Sequence, residues 1–179
     1  MRTTVVMVSV FGTMAADVLH VGLGVPYTQA TPVFLLALAV IFGAWYATEH
    51  TLSVHHINTR RREAFYWATV LATFALGTAA GDLTATNFGL GYLASGFVFT
   101  ALIVLPALAH VRLGLGAVAA FWSAYVLTRP LGASFADWMA VPHTRGGLDV
   151  GLGPVTLGWT LLILALVTYL GSTRRDIEA

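Results

Sequence analysis

The amino-acid sequence predicts an all-α fold, a polytopic membrane helical bundle with six transmembrane helices in three parallel two-helix repeats. Three observations predict it. First, 58% of the 179 residues are hydrophobic, only 9% are charged and the mean hydropathy is +0.80, whereas soluble domains carry about 25% charged residues. Second, the apolar residues form six runs of about the 20 residues that a spanning helix needs. Third, one short motif recurs at three corresponding places.

The six expected spans are separated by residues that favour turns. The spans run roughly over 3–21, 29–49, 64–84, 91–110, 115–139 and 154–172. Breaker residues and an arginine run lie between them, at Pro26, at 60–62, at Asn87 with Gly89, at Gly116 and from Pro142 to Gly153. The chain is therefore expected to form a single transmembrane domain over 1–179, with a short cytoplasmic tail at 174–179.

Arginine indicates the orientation of the chain, because all nine basic residues are arginine. Seven of them fall on one side of a six-helix arrangement: Arg2, Arg60, Arg61, Arg62, Arg112, Arg174 and Arg175. Arg145 falls on the other side, and Arg129 lies within the fifth span. Because short cytoplasmic loops carry an excess of basic residues, the sequence predicts a multi-pass protein with both termini in the cytoplasm.

The recurring motif places an aspartate inside spans one, three and five. Its copies run from Phe11 to Asp17, from Leu76 to Asp82 and from Leu131 to Asp137, and a Gly-Leu-Gly follows each of them. The expected repeat units are about 1–58, 59–112 and 113–173. Each unit has two spans, so the copies share one orientation. An aspartate near the bilayer centre costs roughly 2.5–3.5 kcal/mol on insertion scales, and a repeated cost indicates that the carboxylates are used.

The motif also supplies small residues and hydroxyl oxygens. Steps of two small residues four apart let helices approach closely, and they occur at Gly12 with Ala16, Gly77 with Gly81 and Gly132 with Ala136. Thr13 and Thr78 lie four residues before their aspartates, a spacing at which helical side chains touch. In the third copy an alanine replaces the threonine, and Ser134 lies three residues before its aspartate. These three hydroxyls are the expected supporting oxygens of a site.

Two interpretations of Asp17, Asp82 and Asp137 stay open. In the first they form a proton or cation site, and they are candidate metal ligands because hard divalent ions prefer carboxylate, hydroxyl and carbonyl oxygens. In the second they cap helix ends or hydrogen bond between helices. The leading hypothesis is a small transporter or exporter of a cation, either a divalent metal such as manganese or a proton-coupled substrate. The alternative is a non-transporting membrane scaffold or sensor in which the aspartates only pair helices.

Arg129-Pro130 is the second unusual feature of the spans. A proline inside a helix kinks it and frees a backbone carbonyl. Arg129, Ala133 and Asp137 lie on one helical row, so the arginine is expected to neutralise an aspartate of its own helix or of a neighbour. Arg129 is therefore included among the candidate residues of the ion site. A structural ion pair that fixes helix register and an anion-binding role are the alternatives.

A weaker candidate metal group follows the second span. Glu49, His55 and His56 combine a carboxylate with imidazoles, a ligand set that suits zinc, manganese or iron. The alternative is that these side chains are solvated residues at the membrane interface.

Several functional classes are excluded by composition. The chain has no cysteine, which removes thiolate metal sites. It has no lysine either, so a retinal or pyridoxal Schiff base cannot form, and no covalent cofactor is expected. No basic surface suited to nucleic acid is visible. A nucleophile elbow, a zincin helix and a phosphate-binding loop are also missing from the sequence, so an enzyme is not expected.

The runs from Arg61 to Val70, from Leu76 to Asp82 and from Thr128 to Ser134 resemble an uncharacterised bacterial family of membrane-anchored proteins built from a repeat of unknown function. The resemblance covers nearly the whole chain and implies a multi-pass protein of the bacterial inner membrane, but no activity. Members of that family have one more helix pair at the amino terminus, so this chain is expected to be short by one pair. A helix face left without its partner predicts a homodimer within the lipid bilayer. The expected contact is helix one, with Gly12, Ala15 and Ala16 exposed.

Overall fold

The computed structural model of the protein describes the backbone of residues 2–54 and 57–173. Six α-helices lie within these residues: α1 Arg2–Asp17, α2 Tyr27–Glu49, α3 Arg60–Asp82, α4 Tyr92–Leu113, α5 Ala117–Ala140 and α6 Leu152–Thr173. Two π-helical segments, Val18–Gly22 and Leu83–Asn87, extend α1 and α3, and a 3₁₀ turn, His143–Arg145, follows α5. The same residues contain no strand. The predicted all-α fold is confirmed.

Four helices in the described part of the chain are long and apolar enough to cross a membrane: Tyr27–Glu49, Arg60–Asn87, Tyr92–Leu113 and Leu152–Ser172. A shorter apolar helix covers Val6–Gly22. With 24 residues, α5 is long enough to span a bilayer, but it carries Arg129, Pro130 and Asp137. The helical membrane bundle predicted from the sequence is therefore confirmed.

The chain divides into two compact units, Met1–Phe135 and Ala136–Ala179, and each is considered by itself. In the first unit α3 is the central helix and packs against α1 and α2. Its buried residues are mostly small or β-branched: Thr69, Val70, Ala72, Thr73, Ala75, Leu76, Gly77, Ala79 and Gly81. A helix that is surrounded by others needs no polar face, and short side chains let its neighbours come close.

Apolar and aromatic contacts join α2, α3 and α5 in the first unit. Leu38 of α2 packs with Ala72 and Leu76 of α3. Further along α2, the buried rings of Trp45 and Trp122 meet edge to face with 5.8 Å between their centroids. The Trp122 indole N–H also donates a 2.8 Å hydrogen bond to the Leu52 carbonyl. This bond attaches the loop after α2 to α5.

The small residues of α1 face the interior of the first unit. Ala16 is 1% exposed, and a Cβ added at Gly12 would lie 2.8 Å from the Leu71 carbonyl oxygen of α3. The expectation that these two residues are exposed is wrong, because α1 uses its small-residue face to pack on α3. The opposite face of α1, with exposed Phe11 and Met14, faces outward together with Ala15. A homodimer through α1 stays a prediction and would have to use that outward face.

The second unit begins in the last turn of α5. Backbone hydrogen bonds fold the following loop back on it, from Leu148 N–H to the Trp138 carbonyl (2.8 Å) and from Asp149 N–H to the Val141 carbonyl (2.9 Å). Along α6, Val155 is buried and the remaining described side chains are exposed. Such an apolar, exposed helix is suited to contact with lipid.

Candidate functional site

The aspartate of the first two repeats stands at the same structural transition. Asp17 is the last residue of α1 before the π-helical segment Val18–Gly22, and Asp82 is the last residue of α3 before Leu83–Asn87. Such π-helical turns are rare and occur frequently at functional sites. The third copy differs, because Asp137 lies within α5 and the helix continues as α to Ala140. The sequence repeat is therefore a structural repeat in its first two copies.

A tyrosine brings the first two aspartates into one polar cluster. The Tyr27 hydroxyl donates a hydrogen bond to the Asp82 carboxylate, and it interacts electrostatically with the Asp17 carboxylate and the Tyr92 hydroxyl. The His20 ring stacks on the Tyr27 ring, with 3.7 Å between centroids and 20° between planes. We refer to these five residues as the Tyr27 cluster. It contains two carboxylates, two phenols and one imidazole.

Corresponding positions in two repeats supply the two tyrosines. Tyr27 is the first residue of α2 and Tyr92 is the first residue of α4. Each comes shortly after a Gly-Leu-Gly whose last glycine has a positive φ, 68° at Gly24 and 75° at Gly91. Glycine adopts this left-handed conformation without steric cost, so the chain can turn sharply between helices. This turn places the start of α2 beside the end of α1, and the start of α4 beside the end of α3.

Tyr27, Tyr92 and His20 were not predicted as site residues. A usable signal exists, since a tyrosine follows the Gly-Leu-Gly by one to three residues in two of the three repeats. The histidine had no such signal. Its Nδ1 lies 2.9 Å from the Val25 carbonyl oxygen, a contact that holds the ring against Tyr27 and depends on the folded turn.

The predicted supporting hydroxyls take other partners or none. The Thr78 hydroxyl donates to the Phe74 carbonyl of its own helix at 3.2 Å. Ser134 is 1% exposed, and its hydroxyl has no hydrogen-bond partner within the described residues. Thr13 is half-buried on α1. A role for Thr13, Thr78 and Ser134 at an ion stays a prediction.

The described residues contain no group of three or more His, Asp or Glu side chains placed to hold a metal ion. Asp137 belongs to the second unit, and its approach to the other two aspartates stays a prediction. Glu49 accepts hydrogen bonds from Arg61 Nε at 2.5 Å and Arg62 Nε at 2.6 Å. These contacts tie the end of α2 to the start of α3. His55 and His56 lie outside the described residues, so the weaker metal group stays a prediction.

Arg129 lies among aromatic side chains. Its guanidinium carbon is 3.5 Å from the centroid of the Phe74 ring, and its Nη2 donates a 2.9 Å hydrogen bond to the Tyr125 hydroxyl. The expected pairing of Arg129 with an aspartate stays a prediction.

Close packing of α3 on α5 holds Arg129 in place. A Cβ added at Gly77 would overlap the Arg129 Cβ and would lie 3.1 Å from the Arg129 carbonyl carbon and the Pro130 nitrogen. Gly81, one turn further along α3, packs on Pro130, Ala133 and Ser134. Gly77 and Gly81, the two small residues of the second repeat, thus form the surface against which α5 packs.

Comparison with known proteins adds a family but no activity. Three segments of the chain, residues 3–51, 65–115 and 120–176, match the family described as Repeat of Unknown Function (DUF347). No curated protein and no solved structure matches the chain. The three matched segments confirm the internal repeat predicted from the sequence.

Proposed function

Because the chain belongs to the Repeat of Unknown Function (DUF347) family, whose name specifies a repeat and no activity, we propose a function from the chain's own residues. The protein is a small integral membrane transporter of a cation, coupled to protons. One observation carries this proposal: the Tyr27 hydroxyl hydrogen bonds to Asp82 and also interacts electrostatically with Asp17. Carboxylates from two different repeats thereby share one polar cluster.

Two carboxylates that both interact with the Tyr27 hydroxyl support cation binding. Two negative charges repel each other strongly where water is scarce, and a bound proton or metal ion relieves this repulsion. Ionisable side chains within membrane spans are also expensive, and they commonly mark ion pathways and proton relays. The Tyr27 cluster combines both features at the ends of α1 and α3.

Proton coupling is favoured by the side chains of the Tyr27 cluster. Carboxylates, phenols and an imidazole all exchange protons, and here they contact one another in sequence from His20 to Tyr27 to Asp82. The carboxylate oxygens also suit a hard divalent ion such as manganese. We therefore propose an exchange in which a proton and the transported cation compete for Asp17 and Asp82.

The proposed location is the bacterial inner membrane, with both termini in the cytoplasm. The excess of arginine at 60–62 and at both ends supports this orientation. A reporter enzyme that is active only outside the cytoplasm should be inactive when it is fused after Ala179. The same reporter inserted after Leu148, in the loop between α5 and α6, should be active. The opposite pattern would contradict the orientation.

Transport is testable in liposomes that contain a pH-sensitive dye. When a gluconate salt of manganese, potassium or sodium is added outside, the purified protein should change the internal pH faster than protein-free liposomes do. The double variant Asp17→Asn/Asp82→Asn should show only the protein-free rate, because an amide neither binds cations strongly nor exchanges a carboxyl proton. Asp149→Asn, in an exposed loop, is the matched control and should retain transport.

The proposal fails if none of the three cations changes the internal pH above the protein-free rate. It also fails if the double variant transports as fast as the wild-type protein.

A further inference from the structure

Arg129 presents an unusual electrostatic problem. It lies in the middle of α5 and is half-buried. An arginine at the centre of a spanning helix costs roughly 2.5–3.5 kcal/mol on insertion scales. The Phe74 face stabilises the cation, but an aromatic ring accepts no conventional hydrogen bond from the edge of the guanidinium.

The edge of the Arg129 guanidinium carries a hydrogen-bond donor that has no acceptor within the described residues. Arg129 Nε is buried and has no hydrogen-bond partner within the described residues. The Tyr125 hydroxyl already accepts a hydrogen bond from Nη2, so its own proton is available to another acceptor. Tyr66 of α3 interacts electrostatically with both Tyr125 and Arg129. Buried donors normally find an acceptor, and this group consists of a cation and phenols.

We propose that Arg129, Tyr125 and Tyr66 form a binding site for a small monovalent inorganic anion of the chloride class. The Nε–H and the Tyr125 O–H supply donors, and the guanidinium supplies the charge. The anion would provide the acceptor that Nε lacks in the first unit. It would also neutralise a cation that the neighbouring aromatic rings only partly stabilise.

The surroundings of Arg129 favour a small anion over a large one. The Phe74 ring covers one face of the guanidinium at 3.5 Å. The backbone of α3 at Gly77 closes tightly on the Arg129 stem. A ligand therefore has to approach the edge of the guanidinium. Dehydration also favours a monovalent ion, since the cost of taking an ion out of water rises steeply with its charge.

This inference does not rest on the proposed transport. The anion site uses none of the residues of the Tyr27 cluster, and its test measures binding alone. A protein that binds chloride and moves no cation would contradict the proposed function only. A protein that transports a cation and binds no chloride would contradict the anion site only.

The test is calorimetric titration of sodium chloride into detergent-purified protein. Gluconate is the only other anion, and it keeps the ionic strength constant. The wild-type protein should bind chloride saturably. Arg129→Gln should lose this binding, because the charge and the Nε donor are removed together. Tyr125→Phe keeps the ring and loses the hydroxyl, so its Kd should rise about tenfold, which corresponds to about 1.4 kcal/mol.

Arg112→Gln is the matched control, because Arg112 is an exposed arginine at the end of α4; its Kd should equal that of the wild-type protein. If Arg129→Gln does not fold, the conservative Tyr125→Phe decides the question. The proposal is overturned if the wild-type protein shows no saturable chloride binding, or if Tyr125→Phe binds chloride as tightly as wild type. In a parallel titration with sodium sulfate, saturable binding of sulfate by a protein that does not bind chloride would also overturn it.

Discussion

Replacing Gly77 with valine should destabilise the protein more than the same replacement at any other glycine of the described helices. The added Cβ would overlap the Arg129 Cβ and press on the backbone of α5 at Pro130, so the two helices would have to move apart. Overpacking of a tight core typically costs 1–3 kcal/mol and occasionally more. We expect a loss of about 3 kcal/mol and a melting temperature lower by about 6–12 °C, measured by thermal unfolding in mild detergent.

Two other glycines provide matched controls for this experiment. Gly43 of α2 and Gly132 of α5 are also helical, but nothing lies within 4 Å of a Cβ added at either position. Valine at these positions should change the melting temperature by no more than about 2 °C, because exposed substitutions usually alter stability by less than about 0.5 kcal/mol. Equal losses at all three positions would mean that helix propensity, rather than the contact between α3 and α5, sets the effect.

Asp82→Asn should abolish proton-coupled cation flux and leave the protein folded. The amide oxygen of asparagine still accepts a hydrogen bond from Tyr27, so the contact between α2 and α3 is kept. The variant loses the negative charge and the exchangeable carboxyl proton that the proposed mechanism requires. The flux in liposomes should therefore fall to the protein-free rate, while the melting temperature in detergent stays within about 2 °C of wild type or rises.

The same variant separates transport from the scaffold alternative. If the aspartates only lock helices together, Asp82→Asn replaces a charge-assisted hydrogen bond, worth about 1.5–3 kcal/mol, by a neutral one. Because the neutral bond keeps about 0.5–1.5 kcal/mol, the melting temperature should then fall by about 2–6 °C, and the wild-type protein should show no flux. Asp149→Asn is again the control, because Asp149 is exposed and its left-handed φ of 56° is equally accessible to asparagine.

Composition and periodicity alone determined the class of this protein. Long apolar runs have to become helices in a bilayer, because every backbone polar group needs a partner inside its own segment. The repeat was visible because its aspartates and glycines recur at corresponding positions. These local signals do not depend on how the helices meet, and for that reason the helical fold and the internal repeat were predicted correctly.

The contacts that each side chain makes could not be predicted from the sequence. Thr78 was expected to support Asp82, but its hydroxyl donates to a backbone carbonyl of its own helix, a partner that is always within reach. Gly12 was expected to be exposed, but α1 packs with this side on α3. Which face of an all-apolar helix meets a neighbour is decided by shape, because lipid and protein are equally apolar.

The sequence by itself determined an integral membrane protein of six helices with aspartates repeated inside its spans. Only the tertiary structure decided that Tyr27 joins Asp82 and Asp17, and that Arg129 rests on Phe74. The physical reason is distance along the chain. Contacts within one or two helical turns follow from spacing, whereas a partner from another helix depends on how turns and small-residue faces bring two helices together.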